Sequence, residues 1–394
     1  MQKYLPDFQL SDPWVSRHLT FRDLLSHHSG LPQAAGDVLE NLGLDRAAVL
    51  KQLRHFAPAY DFRVGYGYSN YGFTAGAEAA SRAAGSPYEQ MMDTRLFGPL
   101  GMTSSSARYE DFLKKTNRAS SHVLGADKQA APTVRMPQAQ APAGGVSSSA
   151  RDMASWMRLH LNEGKWQDKQ LIPATELAET YRIHSLASNN PATFSASGFY
   201  GLGWGLAYDQ HGRLRLSHSG AFALGVRSAV TMIPQEKVGI VVLSNAYPSA
   251  LPEALSVIFL KMYDGEPADL ALARTIHSQV TAGLQSMLAA DYKVQWPEKP
   301  EPALPLDRYA GTYHSEFFGK AIISRTGDGL RLRLGTQDFA LKHLTRDAFV
   351  FAGDKNRFED IEAFELQFVL DGQGRVSGFR QQGLAKEFPW FARK

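Results

Sequence analysis

A proline-rich segment divides this sequence into two parts with different hydrophobic patterns. The segment YKVQWPEKPEPALPLD (292–307) contains four prolines and is typical of a stiff linker. Before it, helical and strand patterns alternate, whereas after it only strand patterns occur, such as LRLRL (330–334), separated by the turn sequences TGDG and DGQG. We therefore predict an α+β domain over 1–264, a helix and linker over 265–305, and a small all-β domain over 306–394.

Two capping signals and one alanine-rich run predict three helices in the α+β part. Thr20 is followed by Asp23, and Ser149 by Asp152, at the spacing of N-terminal capping residues. A third helix follows Asn70, where the chain is rich in alanine. These small side chains permit close packing against neighbouring elements.

Residues 225–245 predict an antiparallel hairpin in the centre of a sheet. Two apolar strands, GVRSAVTMIP and VGIVVLSN, flank the turn PQEK. Beyond the hairpin, apolar residues at i, i+4 spacing predict a helix with one apolar stripe. Its members are Leu272, Ile276, Val280, Leu284 and Leu288.

The composition excludes several classes of function. The chain has 394 residues, and 42 basic against 39 acidic side chains leave a formal charge of +3, which is too balanced to indicate a nucleic-acid partner. It contains no cysteine, so a disulfide framework or a thiolate metal site is excluded. No apolar run reaches the length of a transmembrane helix, and we predict no transmembrane segment.

Tyr68 and Asn70 form the first candidate site. They stand together in the glycine-rich turn GYGYSNYGF (65–73), immediately before the alanine-rich helix. A tyrosine, whose ordinary pKa is about 10, acts as a general base only when cationic neighbours stabilise its phenolate. The alternative for this turn is a structural one, with the aromatic rings serving as core and wall.

His218, Ser219 and Gly220 form the second candidate site, at the end of the alternating run RLRLSHSG. Gly220 permits close approach of the backbone, so that a substrate could lie along the strand edge and bond to the amide of Ala221. His218 is the candidate cationic neighbour of Tyr68. The alternative is a satisfied polar residue at the end of a strand.

The remaining histidine motif does not predict a metal site. His27 and His28 are adjacent, point in different directions on a helix, and have no third ligand in the sequence pattern. We therefore assign them a packing or capping role, and we predict no metal and no cofactor. The arrangements His-x-His-x-Asp and His-Glu-x-x-His are absent, which argues against a metallohydrolase.

Taken in order, these segments resemble the serine β-lactamase and penicillin-binding-protein superfamily, in particular its branch of class C β-lactamases, esterases and D-aminopeptidases. LTFRDLLSHHSGLP resembles the helix and loop that follow the nucleophile region, Tyr68-Ser69-Asn70 matches the Tyr-x-Asn motif, and AGGVSSSARDMASWM resembles a Gly-Gly helix start. His218-Ser219-Gly220 matches the third motif, in which His-x-Gly replaces Lys-Thr-Gly. The last ninety residues or so resemble the lipocalin-like β domain that is often appended to these hydrolases.

The resemblance implies a fold and a mechanism. The fold is an antiparallel sheet flanked by helices, with a further helical region. A serine forms an acyl-enzyme, Tyr68 relays protons, and Asn70 holds the amide or carbonyl group of the substrate. His218 keeps the local field positive, and the amide of Ala221 is one arm of an oxyanion hole, a donor whose loss costs about 3 kcal/mol of barrier.

One motif of this superfamily is absent. The nucleophile of relatives lies in Ser-x-x-Lys, and no lysine here is preceded by serine at that spacing: Lys51 has Ala48 and Lys261 has Ile258. Because the resemblance begins at KYLPDF, we expect an N-terminally truncated domain without the nucleophile helix and the first strands. We also expect an exposed sheet edge that lowers stability or supports self-association.

Two functions remain open at this stage. The first is a serine hydrolase acting on an amide or ester, such as a β-lactam, an ester or a D-amino-acid peptide, and inactive as this chain stands. The second is a non-catalytic member that binds peptides or cell-wall fragments. The resemblance implies a periplasmic or secreted location for the full-length protein, whereas the sequence itself carries no address.

Overall fold

The computed structural model describes residues 1–125, 129–188, 198–289, 294–351 and 364–394. The side chain of Leu288 and the linker residues 292 and 293 lie outside the described part, so the predicted apolar stripe and linker can be followed only in their other members.

The described helices begin and end as follows. They are α1 (Pro13–His18), α2 (Phe21–Leu25), α3 (Asp37–Asn41), α4 (Arg46–Gln52), α5 (Asn70–Ala83), α6 (Tyr88–Met92), α7 (Gly98–Leu100), α8 (Tyr109–Lys114), α9 (Ala150–Leu161), α10 (Ala174–Thr180), α11 (Leu251–Tyr263) and α12 (Leu270–Ala289).

The described strands fall into four sheets. They are β1 (Ser121–Leu124), β2 (Ala130–Thr133), β3 (Lys165–Trp166), β4 (Lys169–Gln170), β5 (Ser185–Ser188), β6 (Gly198–Tyr200), β7 (Gly205–Tyr208), β8 (Leu214–Phe222), β9 (Val226–Ile233), β10 (Val238–Ser244), β11 (Ala246–Tyr247), β12 (Gly311–Ser315), β13 (Gly319–Thr326), β14 (Gly329–Leu334), β15 (Gln337–Thr345), β16 (Ala348–Phe351), β17 (Phe364–Leu370), β18 (Val376–Gln382) and β19 (Trp390–Arg393).

The three predicted helix starts are present. The side chain of Thr20 accepts the amide of Asp23, while the Asp23 carboxylate accepts the amide of Thr20, which makes a reciprocal capping box for α2. Ser149 caps α9 by accepting the amide of Asp152. Helix α5 begins at Asn70, with Ser69 as its cap.

A six-stranded antiparallel sheet forms the centre of the first part, in the order β10-β9-β8-β7-β6-β5. The predicted hairpin is confirmed as β9 and β10, joined by the turn Pro234–Glu236 with Lys237 in the left-handed region. Its predicted position in the centre of the sheet holds for β9 but is wrong for β10, which is an edge strand because no described strand pairs with its outer side. Helices α9 and α11 pack against β9 and β10.

The C-terminal part is a closed barrel of eight antiparallel strands, β12 to β19 in sequence order. Buried residues alternate along strands such as β14 and β17, and many of the barrel's buried side chains are aromatic rings. The rings with less than 2% exposure are Tyr309, Tyr313, Phe317, Phe349, Phe351, Phe368, Phe379 and Phe391. The predicted α+β class with an appended all-β domain is confirmed.

The chain forms two compact units. One unit comprises Met1–Ala35 and Leu53–Gly283, and the other comprises Gly36–Gln52 and Leu284–Lys394. The barrel therefore shares its unit with α3 and α4 from the first part of the sequence. The boundaries predicted from the sequence, at 264 and 306, stay a prediction.

Contacts within the second unit explain why Gly36–Gln52 belongs to it. The amide of Thr336, in the turn after β14, donates to the carbonyl of Leu42 at 2.9 Å. Gly335 has φ +60°, and a Cβ there would lie 2.1 Å from the Leu42 oxygen, so only glycine permits this approach. Leu39, Leu42 and Val49 are fully buried.

Candidate functional site

The Tyr68 turn is held by its backbone and by its glycines. Ser69 accepts the amide of Gly72 at 3.0 Å, and the carbonyl of Tyr68 accepts the amide of Ala34 at 3.0 Å. A Cβ on Gly67 would lie 2.2 Å from the carbonyl oxygen of Leu31. Glycine is thus required next to Tyr68 by close packing, which explains part of the GYGY pattern.

His27 contacts this turn from the preceding loop. Its backbone carbonyl accepts the amide of Gly67 at 3.0 Å, and its Nδ1 accepts the amide of Ser69 at 3.2 Å. The ring centres of His27 and Tyr68 are 4.5 Å apart. His27 is buried, with only 2% of its surface exposed.

His218 lies on β8, opposite Val230 of β9. Its Nε2 is 3.2 Å from the phenol oxygen of Tyr200, and its ring centre is 6.2 Å from that of Tyr68. Strand β7 pairs with β8 only as far as Ser217, which lies opposite Gly205, whereas β9 pairs with β8 as far as Phe222. Within the described residues, the β7-side edge of β8 beyond Ser217 is therefore not covered by a strand.

One cavity brings the six predicted site residues together. It has a volume of about 990 Å³, and the predicted residues among its lining are Tyr68, Asn70, His218, Ser219, Gly220 and Ala221. Tyr68 and Asn70 are half-buried at the start of α5, while Ser219 and Ala221 are exposed on β8. Two segments far apart in the sequence thus face the same space.

The opposite wall of the cavity is held by Asp152. Its carboxylate accepts the amide of Ser104 at 2.8 Å and the hydroxyl of Ser105 at 2.8 Å. The Ser105 hydroxyl is in turn 2.7 Å from that of Ser148, which lines the cavity. Because Asp152 is buried, its charge stabilises these donors strongly.

The far end of the cavity is aromatic. The guanidinium carbon of Arg135 lies 3.3 Å from the ring centre of Phe222, the last residue of β8. A Cβ on Gly144 would lie 2.4 Å from the same ring. This end therefore offers apolar and cation–π surface beyond the predicted oxyanion amide of Ala221.

Burial controls the protonation of the imidazoles and phenols around the cavity. Burial, followed by the proximity of His218 and His28, lowers the pKa of His27 to about 3. Burial also lowers the pKa of His218, against a smaller opposing effect of its hydrogen bond with the Ser219 backbone. Burial raises the pKa of the phenols of Tyr66 and Tyr200.

The expectation that His218 keeps the local field positive therefore needs correction. An imidazole whose pKa lies below its ordinary value of 6.5 is mostly neutral at pH 7. The neutral ring can accept a hydrogen bond from the Tyr200 phenol, which keeps its proton. His218 thus offers the site a hydrogen-bonding group of defined orientation.

Two residues of this arrangement were not identified as site residues from the sequence. The sequence motifs do not include Tyr200, and they give His27 only a packing or capping role. Both contacts cross between segments that are distant in the sequence, and no local pattern marks them. Within the described ranges, no cluster of three or more His, Cys, Asp or Glu side chains could hold a metal ion.

The antiparallel sheet packed by helices, with a Tyr-x-Asn turn facing a His-x-Gly strand across one cavity, defines a serine hydrolase fold of the penicillin-binding-protein type. The family model described as Beta-lactamase matches residues 1–258, and the chain belongs to this family. A second model, described as a domain of unknown function (DUF3471), matches residues 295–392, which include the barrel.

Individual relatives agree with this assignment. The chain is 26% identical over 329 residues to Beta-lactamase-like protein 2 of Dictyostelium discoideum, covering 79% of this chain and 55% of the relative. It is 29% identical over 252 residues to Penicillin-binding protein 4 of Amycolatopsis lactamdurans, covering 61% of this chain and 63% of the relative. The chain thus spans between about half and two thirds of the length of these curated relatives.

A solved structure shows the same fold. The octameric penicillin-binding protein homologue from Pyrococcus abyssi superposes with a TM-score of 0.55 at 17% identity, covering 99% of this chain and 84% of that one. Of the helices in the described residues, none combines the length and the apolar character needed to span a membrane.

Proposed function

We propose that the cavity between Tyr68 and His218 is an acyl-substrate site of the serine hydrolase type. Its ligands are amide or ester acyl donors, such as a β-lactam, an ester or a D-amino-acid peptide. The observation that supports this proposal is that Tyr68 and His218, 150 positions apart in the sequence (218 − 68), line one cavity together with Asn70 and the uncovered edge of β8.

Each residue has a role in the proposal. Asn70 donates to the carbonyl or amide of the acyl donor, and the amide of Ala221 donates to its acyl oxygen. Ser219 and Gly220 form the strand edge along which the donor lies. Tyr68 is placed to relay a proton, and His218 offers a neutral imidazole to the same space.

The nucleophile of the family's reaction is a serine hydroxyl. In that reaction the serine oxygen bonds to the acyl carbon, the leaving group departs with a proton, and water later releases the acid. No Ser-x-x-Lys occurs in these 394 residues. We therefore propose that this chain supplies the binding and proton-relay part of the site and forms no acyl-enzyme by itself.

Covalent and reversible binding are measured separately to test this proposal. The chain is incubated with a fluorescent penicillin and with a fluorophosphonate, and its intact mass is recorded. We expect no adduct, but saturable reversible binding of penicillin in equilibrium dialysis. An adduct would contradict the absence of a nucleophile, and no reversible binding would overturn the site assignment.

A matched pair of variants ties the binding to the cavity. Asn70→Ala removes a side chain that lines it, whereas Asn162→Ala removes an exposed amide at the end of α9. We expect Asn70→Ala to weaken penicillin binding by about tenfold, which corresponds to about 1.4 kcal/mol. Equal effects of the two substitutions would place the ligand elsewhere.

The second candidate is a non-catalytic member that holds peptides or cell-wall fragments. The size and the aromatic end of the cavity support this second candidate as well as the first, because both properties concern binding and not catalysis. D-Ala-D-Ala peptides in the same dialysis experiment distinguish the two: tight binding of the peptide with weak binding of penicillin favours the second candidate.

A further inference from the structure

We propose that His27 is a positioning residue for Tyr68, which holds the backbone on both sides of Tyr68 and thereby sets where the phenol lies in the cavity. The proposal rests on the proposed function of that cavity. It assigns to His27 a role beyond the packing that its burial alone would indicate.

The first observation is a pair of hydrogen bonds that bracket Tyr68. The amide of Gly67 donates to the carbonyl of His27 at 3.0 Å, and the amide of Ser69 donates to its Nδ1 at 3.2 Å. The two amides that flank Tyr68 thus share one partner residue. A rotation of the backbone at Tyr68 would break at least one of these bonds, which stabilises a single orientation of its side chain.

The second observation is the backbone of His27 itself. Its φ is 60°, in the left-handed region that non-glycine residues rarely adopt and that costs of the order of 1 kcal/mol. This conformation points the carbonyl of His27 towards Gly67 while its ring reaches Ser69. Asparagine is the non-glycine residue that best tolerates this region, and that preference provides a conservative substitution.

The third observation concerns the tautomer. A ring whose Nδ1 accepts a hydrogen bond carries its proton on Nε2, and in the described structure Nε2 of His27 is buried without a hydrogen-bond partner. The rings of Tyr68, Tyr200 and Tyr66 surround it, with centres 4.5, 5.0 and 5.5 Å from that of His27. A proton at Nε2 inside an aromatic enclosure leaves Nδ1 available to Ser69.

Charge on His27 would remove the bond to Ser69, because a protonated Nδ1 no longer accepts. Burial opposes this charge most strongly and the neighbouring imidazoles of His218 and His28 add to it, so the pKa of His27 is lowered to about 3. The phenols of Tyr66 and Tyr200 keep their protons because burial raises their pKa. The bracket around Tyr68 therefore persists through the pH range in which hydrolases work.

Two substitutions separate positioning from packing. His27→Asn places an amide oxygen near the position of Nδ1, so that it still accepts from Ser69, but it removes the ring. His27→Leu retains apolar volume and removes the acceptor. If His27 acts only by packing, His27→Leu disturbs Tyr68 less than His27→Asn does. If the hydrogen-bond acceptor is what matters, His27→Asn disturbs Tyr68 less.

The readout is the signal of the Tyr68 ring in the 394-residue chain, labelled with ¹³C-tyrosine and assigned by loss of this signal in Tyr68→Phe. We expect His27→Leu to broaden or split this signal and to weaken penicillin binding about five- to tenfold. We expect His27→Asn to keep one sharp signal, displaced only by the loss of the imidazole ring current, and to bind penicillin within about threefold of the unsubstituted chain. A Tyr68 signal that stays sharp and single in His27→Leu, or equal losses of binding in both variants, would overturn the proposal.

The experiment also separates this proposal from the function of the cavity. If penicillin does not bind to the unsubstituted chain, the proposed function fails, and the Tyr68 signal alone tests the positioning role of His27. If both variants fail to fold, as judged by circular dichroism, the tautomer of His27 in ¹⁵N spectra of the unsubstituted chain tests that role instead. We expect the His27 proton on Nε2, and a proton on Nδ1 would overturn the proposal.

Discussion

The phenol oxygen of Tyr200 lies 3.2 Å from Nε2 of His218. Burial raises the pKa of this phenol and lowers the pKa of this imidazole, so both groups stay neutral and the hydrogen bond joins an uncharged pair. The backbone of Ser219 forms a hydrogen bond with the same imidazole. His218 is therefore oriented from two sides.

Tyr200→Phe removes this hydroxyl while it keeps the ring. We expect the free energy of unfolding to fall by about 1–2 kcal/mol, because the buried Nε2 of His218 loses its partner. Urea unfolding gives the change, and ¹⁵N spectra of His218 should show a changed tautomer population. Tyr208→Phe, at an exposed tyrosine of β7, is the control. Equal losses in both variants would contradict a specific role for Tyr200.

The stability of the chain should fall as the pH decreases below about 6.5. Burial lowers the pKa of His160 to about 4 and that of His27 to about 3, so each unfolded imidazole binds a proton that the folded one does not. The stabilisation is complete above the unfolded pKa of about 6.5 and is lost towards the folded values, by up to about 1.4 kcal/mol per pH unit for each group.

His160→Asn tests the contribution of one imidazole. Nδ1 of His160 lies 2.5 Å from the phenol oxygen of Tyr181, and asparagine keeps an acceptor near this position but does not titrate. The slope of the unfolding free energy against pH, measured in urea from pH 6 to pH 4.5, reports how many more protons the unfolded state binds than the folded state. We expect this number to decrease by nearly one in His160→Asn. An unchanged slope would show that His160 is protonated in the folded state.

Gly335 and Gly327 form a matched pair in two hairpin turns of the barrel. Both have φ near +60°, but a Cβ on Gly335 would lie 2.1 Å from the Leu42 oxygen, whereas a Cβ on Gly327 has no heavy atom within 4 Å. Gly327→Ala should cost roughly 1 kcal/mol from backbone strain. Gly335→Ala should cost about 1–3 kcal/mol more, because Leu42 must move. Thermal unfolding of both variants gives the comparison.

Asp152→Asn should destabilise the wall of the cavity. The Ser104 amide and the Ser105 hydroxyl both donate to the same oxygen, Oδ2, so asparagine can keep both bonds with its carbonyl oxygen but removes the charge that strengthens them. We expect a loss of about 1–3 kcal/mol in urea unfolding. Asp168→Asn, at an exposed position beyond α9, should change little. If Asp152→Asn leaves the free energy of unfolding unchanged, the charge of Asp152 does not stabilise the serine network.

The edge strand β10 should support self-association. Leu243 lies on this edge with 44% exposure, and Leu186 lies on β5, the other edge of the sheet, with 48%. We expect the unsubstituted chain to shift towards a dimer in light scattering as its concentration rises, and Leu243→Lys to prevent this shift, because charge on an edge strand opposes pairing. Leu186→Lys is the control. If both variants still dimerise, or if neither does, β10 is not the specific dimer edge.

Local signals in the sequence were sufficient for the elements that begin with a cap, a turn or an alternating run. The capping residues Thr20 and Ser149, the hairpin over 225–245 and the alternating strands after the linker are all present, because each depends on neighbours within a few positions. The edge position of β10 could not be predicted in this way, since it depends on which strand lies beside it.

The candidate site was predicted in part. The motifs around Tyr68 and His218 line one cavity, and a resemblance to known motifs was enough to pair them. The charge of His218 was misjudged because burial cannot be seen in a tripeptide. Tyr200 and His27 were not recognised as site residues because their contacts depend on the folded sheet and on a left-handed loop.

The grouping of Gly36–Gln52 with the barrel has a consequence for protein engineering. Transplanting the C-terminal module by cutting at the proline-rich linker would leave behind the two short helices that complete it, with Leu39 and Val49 deprived of their environment. A chimera that keeps the folded unit intact has to include both Gly36–Gln52 and Leu284–Lys394, so the barrel has to be exchanged as two separate segments of the sequence.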